Sequence, residues 1–371
     1  MGLIAEKIYN YFAALICLLI PFMTYAKASV NILMIALLFL LIFIPKKNNI
    51  IKIFKEAYIK TFCLFLLFVL FFSTLNNSLF DDFSETRKIA QTILLIFLFF
   101  LVKRKSLLIT AFILGILIAS LPTVINIICF NYFEIFLWGE SINDSYITQR
   151  LYLGFFVVLA LILSLYRYFN VFFKRSKNKY MLLILYYILA LFLIASRSAI
   201  IIAFLILVTS IIYNTKGAYR VLFLISIPVI FITIILNSDS LSKRFFHSKD
   251  SVTTSIIENI QTHEPRYDIW KFSVQIFDEK RPYLFGIGTY QTQRLLNKKY
   301  EGMSREKDKR RQWFIESNFN THNQYIDLIL SYGFLGFLVF IIFLKQIISK
   351  VYKNIHSLNL ILAIIVFLFV E

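Results

Sequence analysis

The sequence predicts an all-α polytopic membrane protein of about 11 to 12 transmembrane helices, carrying one large, partly helical loop outside the bilayer. Three observations predict it. Hydrophobic residues make up 59% of the 371 positions and charged residues only 16%, more apolar surface than a soluble domain of this length buries in one core. The apolar residues fall in runs close to the roughly 20 that a helix needs to cross a hydrocarbon layer about 30 Å thick. One polar stretch of 87 residues, 238–324, interrupts them.

The runs lie near 8–26, 29–45, 61–76, 88–102, 107–130, 151–167, 180–196, 198–213, 219–237, 325–344 and 357–371. Lys7 stands before the first without a small-residue cleavage pattern behind it, so that run reads as an uncleaved span entered from the cytoplasm. With that start, Lys7 and the connectors at 46–60, 103–105, 167–179, 216–220 and 345–353 hold 19 basic residues on the cytoplasmic side. The opposite short connectors hold only Lys27, Arg87, Lys88, Arg150 and Arg197, a strong positive-inside bias. The same alternation puts 238–324 outside the cytoplasm. Its own basic residues do not count against this, because loops beyond about 60 residues escape the rule. The organisation expected is therefore spans one to nine in 1–237, the loop in 238–324, and spans ten and eleven in 325–371. The last run stops at Val370-Glu371 without a polar tail, which fits a chain that continues into a twelfth span.

Composition also excludes function classes. The formal charge of +18 would suit nucleic acid, but the Lys and Arg are clustered between apolar runs, where they encode topology. Nucleic-acid binding does not follow. Cys17, Cys63 and Cys129 sit inside apolar runs with no metal-like spacing, so neither a disulfide frame nor a zinc site is expected. No Asp-x-Asp pair, phosphate-binding glycine loop, dinucleotide fingerprint or His-Glu-x-x-His is found. Glu306-Lys307-Asp308 comes nearest to a metal-holding pair and is embedded in a run of charge. No metal and no cofactor are expected, and a mechanism that uses Arg in place of a divalent ion is what remains.

Within the loop, 267–277 mixes apolar and polar residues as a short surface helix does, with Trp270, Val274 and Phe277 on one i, i+4, i+7 stripe. Pro282 ends it, and Gly286-Ile287-Gly288 gives a turn that permits close backbone approach. The stretch 301–311 is dense in charge and expected to be solvated.

Four positions could carry chemistry. Arg197, in Ser196-Arg197-Ser198 between two apolar runs, either snorkels to headgroup phosphates or caps the preceding helix, or else clamps an anion with its planar guanidinium. Arg266 follows Glu264-Pro265 at the head of the amphipathic helix, where backbone donors favour anions; the alternative is a surface ion pair with Glu264 or Asp268. His322 lies at the outer start of the tenth span beside Asn323, Gln324 and Asp327, a polar cluster able to orient an imidazole as a general base. His263 is its rival. Arg150, at the outer start of the sixth span, is either a headgroup anchor or a third basic contributor.

Ser-Arg-Ser-Ala at 196–199, Pro-Arg-Tyr-Asp-Ile-Trp at 265–270, Pro-Tyr-Leu-Phe-Gly-Ile-Gly at 282–288 and Thr-His-Asn-Gln-Tyr at 321–325 occur in that order in a many-span protein. The pattern resembles the O-antigen ligase superfamily, with specific overlap over about 180–345. The resemblance implies a membrane-embedded glycosyltransferase of the GT-C-like type, active at the periplasmic face of the bacterial inner membrane. It would move a glycan from undecaprenyl diphosphate onto lipid A-core, with membrane lipids as its surroundings. By motif match, Arg197 and Arg266 bind the diphosphate and His322 activates the acceptor hydroxyl. Arg150 is a further diphosphate contact, and Asn323, Asp327 and Trp270 are supporting residues.

A related O-antigen polymerase would use the same donor. Such polymerases often show an Arg, ten residues and a Gly in external loops, and here that spacing is found only from Arg104 to Gly115 on the cytoplasmic side. A protein O-oligosaccharyltransferase is usually longer. A non-catalytic lipid-glycan transporter would need ionisable residues along a path through mid-membrane, and the spans carry almost none.

Overall fold

The computed structural model describes residues 2–43, 53, 55–75, 78–137, 141, 144, 146–170, 174–238, 241–242, 264–303, 308–351 and 355–370. Among these residues there is no strand. The helices are α1 (Gly2–Leu19), α2 (Met23–Leu41), α3 (Ala57–Leu75), α4 (Phe83–Phe100), α5 (Lys105–Phe133), α6 (Arg150–Asn170) and α7 (Lys174–Ile194). They continue as α8 (Arg197–Asn214), α9 (Ala218–Asn237), α10 (Pro265–Lys280), α11 (Thr289–Glu301), α12 (Asp308–Ser317), α13 (Gln324–Val351) and α14 (Ile355–Val370).

Eight stretches among the described residues are long and apolar enough to cross a membrane, and a shorter apolar helix covers Asn359–Leu368. The protein is a polytopic, all-α membrane protein. The first stretch, Leu3–Leu41, takes in two of the expected runs. A 3-10 turn at Ile20–Phe22 with Pro21 inside it breaks the run, and α1 and α2 pack against each other across that turn. The helix expected over 88–102 forms, but it starts at Phe83 and carries Glu85, Arg87 and Lys88 in its first two turns, so it is not one of the eight.

The chain divides into two compact units. One comprises Met1–Asn49, Leu98–Ser248 and Tyr352–Ile364; the other comprises Ile50–Phe97, Lys249–Val351 and Ile365–Glu371.

In the first unit, α1 packs on α5 and α6 packs on α7 and α8. Close approach comes from small residues: a Cβ on Gly115 of α5 would lie 2.4 Å from the Leu18 carbonyl oxygen. Two tyrosines buried inside this unit bond to backbone carbonyls. Tyr9 donates to Leu98 O at 2.8 Å and Tyr187 to Ile113 O at 2.7 Å.

In the second unit, α3 packs along α13 through Phe62 and Phe65, whose rings meet Phe343 and Tyr332 at 4.6 and 5.6 Å. α10, α11 and α12 form a small helical layer with its own core of Ile269, Ile276, Leu296, Tyr300 and Phe314, closed by Leu330 of α13. The buried face of α10 is Ile269, Ser273 and Ile276, one position out of phase with the stripe expected from sequence. Val274 points outward and is 57% exposed. Trp270 and Phe277, the other members of that stripe, are only partly buried.

Two features join this layer to the membrane helices. Asp82 is buried, and its carboxylate accepts bonds from Ser73 and Ser78 on one oxygen and from Thr289 Oγ and the Tyr290 N–H on the other. It thereby anchors the N-terminus of α11. The second feature is a break in α13. The tenth span, expected as one helix, changes direction at Gly333, where φ is 67° and ψ −173°. The segment after α10 runs against the break. Phe334 and Leu335 donate their N–H groups to Tyr283 O and Leu284 O at 2.8 and 3.3 Å, and Ile287 and Gly288 donate to Leu330 O and Ser331 O at 2.9 Å each. Backbone lies on backbone here: a Cβ on Gly286 would stand 2.4 Å from the Ser331 carbonyl, and one on Gly333 2.4 Å from that of Leu284. The close approach expected at Gly286-Ile287-Gly288 is found, and its partner is α13.

Candidate functional site

Arg266, Trp270, His322, Asn323 and Asp327 lie in the second unit, and Arg150 and Arg197 in the first. α10 begins with Pro265 at its first position, where the missing N–H costs nothing. Arg266 follows, in the turn where unpaired backbone N–H groups and the helix dipole favour anions. Its guanidinium lies 3.9 Å from the Glu264 carboxylate, and the two side chains are 29% and 20% exposed. Asp268, the other partner considered from sequence, is engaged by Arg310 of α12 at 2.8 Å.

One helical turn after Arg266 stands Trp270, whose indole N–H donates to the Thr321 carbonyl at 3.1 Å. That bond ties the Arg266 helix to the turn carrying His322. The turn is held from several sides. Gln293 of α11 donates to Asn318 Oδ1 at 2.9 Å and to Phe319 O at 3.0 Å, and the Tyr300 hydroxyl donates to the same Phe319 O at 3.1 Å. Burial pushes the Tyr300 phenol well above its ordinary range, so it remains a donor at any physiological pH.

His322 itself has φ 45°, a left-handed conformation uncommon for a residue with a Cβ. Its N–H donates to Asn320 Oδ1 at 3.0 Å, and its half-buried ring lies 5.4 Å from that of Phe319. Asn323 is the N-cap of α13: its side-chain oxygen accepts from the N–H groups of Tyr325 and Ile326 at 3.0 and 3.1 Å. The Thr321 hydroxyl reaches Asn323 O at 3.2 Å and Asp327 at 3.5 Å. His247, His263 and Glu306-Lys307 lie outside the described residues.

In the first unit, α7 ends at Ile194 and α8 begins at Arg197, so Ala195 and Ser196 make a two-residue turn, Ala195 at φ 53°. Arg197 is the first residue of α8 and half-buried. α6 approaches this turn closely. A Cβ on Gly154 would stand 2.8 Å from Ser196 Cβ and 3.0 Å from Ala199 Cβ. Arg150 opens α6 one helical turn before Gly154, so the N-terminal turns of the Arg150 and Arg197 helices are brought together. Tyr146 adds a bond to Ile194 O at 3.4 Å.

Among the described residues no group of three or more His, Cys, Asp or Glu is placed to hold a metal ion. The basic groups at helix N-termini can hold an oxyanion, and the imidazole can take a proton.

Sequence reasoning missed Asp82, Gln293, Asn318 and Asn320, which hold these elements in place. Asp82 and Glu85 stand in the Asp-x-x-Glu spacing of a helix start, a signal that points to Asp82.

No curated protein matches the chain. Residues 182–341, from within α7 to within α13, match the family model described as O-Antigen ligase. That stretch holds Arg197, Arg266 and His322, and over it the chain is similar to that family.

Proposed function

We propose that this protein transfers O-antigen polysaccharide from undecaprenyl diphosphate to lipid A-core, at the periplasmic face of the bacterial inner membrane. The observation that carries the reading is the Trp270 bond to Thr321 O. It couples a helix N-terminus bearing a guanidinium to a turn bearing an imidazole, inside the stretch that matches the ligase family.

In this reading Arg266 neutralises the diphosphate, and Arg197 has the same role on the strength of its motif. Arg150 is a further contact. A lipid diphosphate leaves readily once its charge is balanced, so guanidinium groups stand in for a divalent ion. His322 takes the proton of the acceptor hydroxyl as its oxygen bonds to the anomeric carbon. The bond from that carbon to the diphosphate oxygen breaks, undecaprenyl diphosphate departs, and direct attack inverts the anomeric configuration. A positioned base contributes roughly 10²- to 10⁴-fold. Eleven or twelve spans, with 238–324 on the periplasmic side, complete the arrangement.

The test is in vitro transfer with purified lipid-linked donor and lipid A-core acceptor. Arg266→Ala, Arg197→Ala and His322→Ala should each abolish transfer while the protein stays in the membrane, and a chelator should leave the wild type active. A fully active His322→Ala would remove the base assignment. In cells, deletion should leave long polymer on its carrier and lipid A-core unmodified; loss of the long polymer itself would indicate a polymerase.

A further inference from the structure

We propose that Tyr283-Leu284-Phe285 enters the hydrocarbon layer as a re-entrant wedge, so that the external helical layer contacts lipid acyl chains directly. The depth follows from two helices of the same unit. Along α13 no charged residue lies between Asp327 and Lys345. The segment meets this helix at Gly333, six residues past Asp327, which is up to about 9 Å into the apolar stretch at 1.5 Å per residue. On α3 the Phe285 ring stacks on Phe72 at 4.8 Å, three residues short of the end of that helix at Leu75, or about 5 Å in. Both place the segment below the polar ends of the spans that flank it.

Non-helical backbone at that depth needs every nearby polar group satisfied. The break in α13 meets the requirement: the four backbone bonds between 283–288 and 330–335 pair donors and acceptors that an intact helix would have paired within itself. The side chains point the other way in character. Tyr283, Leu284 and Phe285 are 50%, 57% and 47% exposed, and Phe334 and Leu338 of α13 beside them are 46% and 53% exposed. A water-facing loop would make such a surface an association hazard; a bilayer covers it. Lys280 and Arg281 end α10 immediately before the wedge, where long basic side chains reach headgroups.

Site-directed spin labelling tests this in the full-length protein. With Cys17, Cys63 and Cys129 replaced by Ala, single Cys residues are introduced at 284, at 338 as a lipid-facing reference and at 298 as a water-facing reference, since Lys298 is exposed on α11. The labelled proteins are placed in phosphatidylethanolamine and phosphatidylglycerol vesicles. The label at 284 should relax faster with oxygen than with a water-soluble nickel chelate, as at 338, and opposite to 298. A 285 label repeats the reading on an independent variant. Labels at 284 and 285 that behave like 298 would overturn the proposal, whether they report bulk water or a water-filled cavity.

Discussion

Replacing Gly333 with Ala should unseat the 283–288 segment from α13. The glycine holds φ 67° and ψ −173°, a region that costs a residue with a Cβ about 1 to 3 kcal/mol. Its new methyl would also stand 2.4 Å from both the carbonyl carbon and oxygen of Leu284 and 2.5 Å from the Phe285 nitrogen. These are backbone atoms with no rotamer to adopt, so the two segments must separate. The first bonds lost are those from Phe334 and Leu335 to Tyr283 O and Leu284 O. Each donor left unpaired away from water costs about 1 to 3 kcal/mol, which brings the total to at least about 3 kcal/mol. Gly217 supplies the control: it has φ 62° and ψ −148° but nothing within 4 Å of its Cβ position, so Gly217→Ala carries the strain without the collision. Thermal unfolding of both variants in one detergent, followed by loss of the monodisperse peak on size exclusion, measures the difference. A Gly333→Ala protein no less stable than Gly217→Ala would refute the packing argument.

Gly154→Ala should push α6 away from the Arg197 turn, since its methyl would meet Ser196 Cβ at 2.8 Å; overpacking of this kind costs about 1 to 3 kcal/mol. Transfer should fall more than melting temperature does, and an unchanged rate would mean that the turn does not depend on this contact. Trp270→Phe keeps the ring against the core but removes the donor to Thr321 O, at a cost of about 1 kcal/mol. Its kcat should drop while membrane abundance stays at the wild-type level, and an unaltered kcat would show that the His322 turn is held without it.

Each of the eight stretches long and apolar enough to cross a membrane overlaps a run read from hydropathy, because burial in lipid demands long apolar runs whatever their tertiary partners. The run at 325–344 also hid the break at Gly333, since a glycine in an apolar stretch reads the same whether the helix continues or stops. What stops it is the segment 283–288, some 45 residues upstream, and no local signal carries that pairing. Gly286 and Gly288 did announce a close backbone approach, without naming the partner. The phase of α10 failed for a related reason. Trp270, Val274 and Phe277 share one stripe by spacing, whereas the core of the helical layer takes Ile269 and Ile276 and leaves Trp270 partly buried with its indole N–H on Thr321. Arg266 and His322 stood out as chemistry-bearing residues in polar surroundings. Asp82 did not, because its role depends on meeting Thr289 and Tyr290 from the far side of the sequence.

The turn at 318–323 holds two residues in the left-handed region, Asn318 at φ 47° and His322 at φ 45°, and neither is glycine. Such backbone persists only where the surroundings over-determine it. Here they do, in a consistent direction. Trp270 and Tyr300 donate to carbonyls before His322, Gln293 spans Asn318 and Phe319, and Asn323 is committed to capping α13. The bonds from Trp270, Tyr300 and Gln293 hold the turn's backbone and Asn318 side chain up to His322. The turn thus draws restraints from two separate helices, α10 and α11, before Asn323 caps α13. Those restraints on the backbone around His322 are the structural reason to test it before any other residue of the turn.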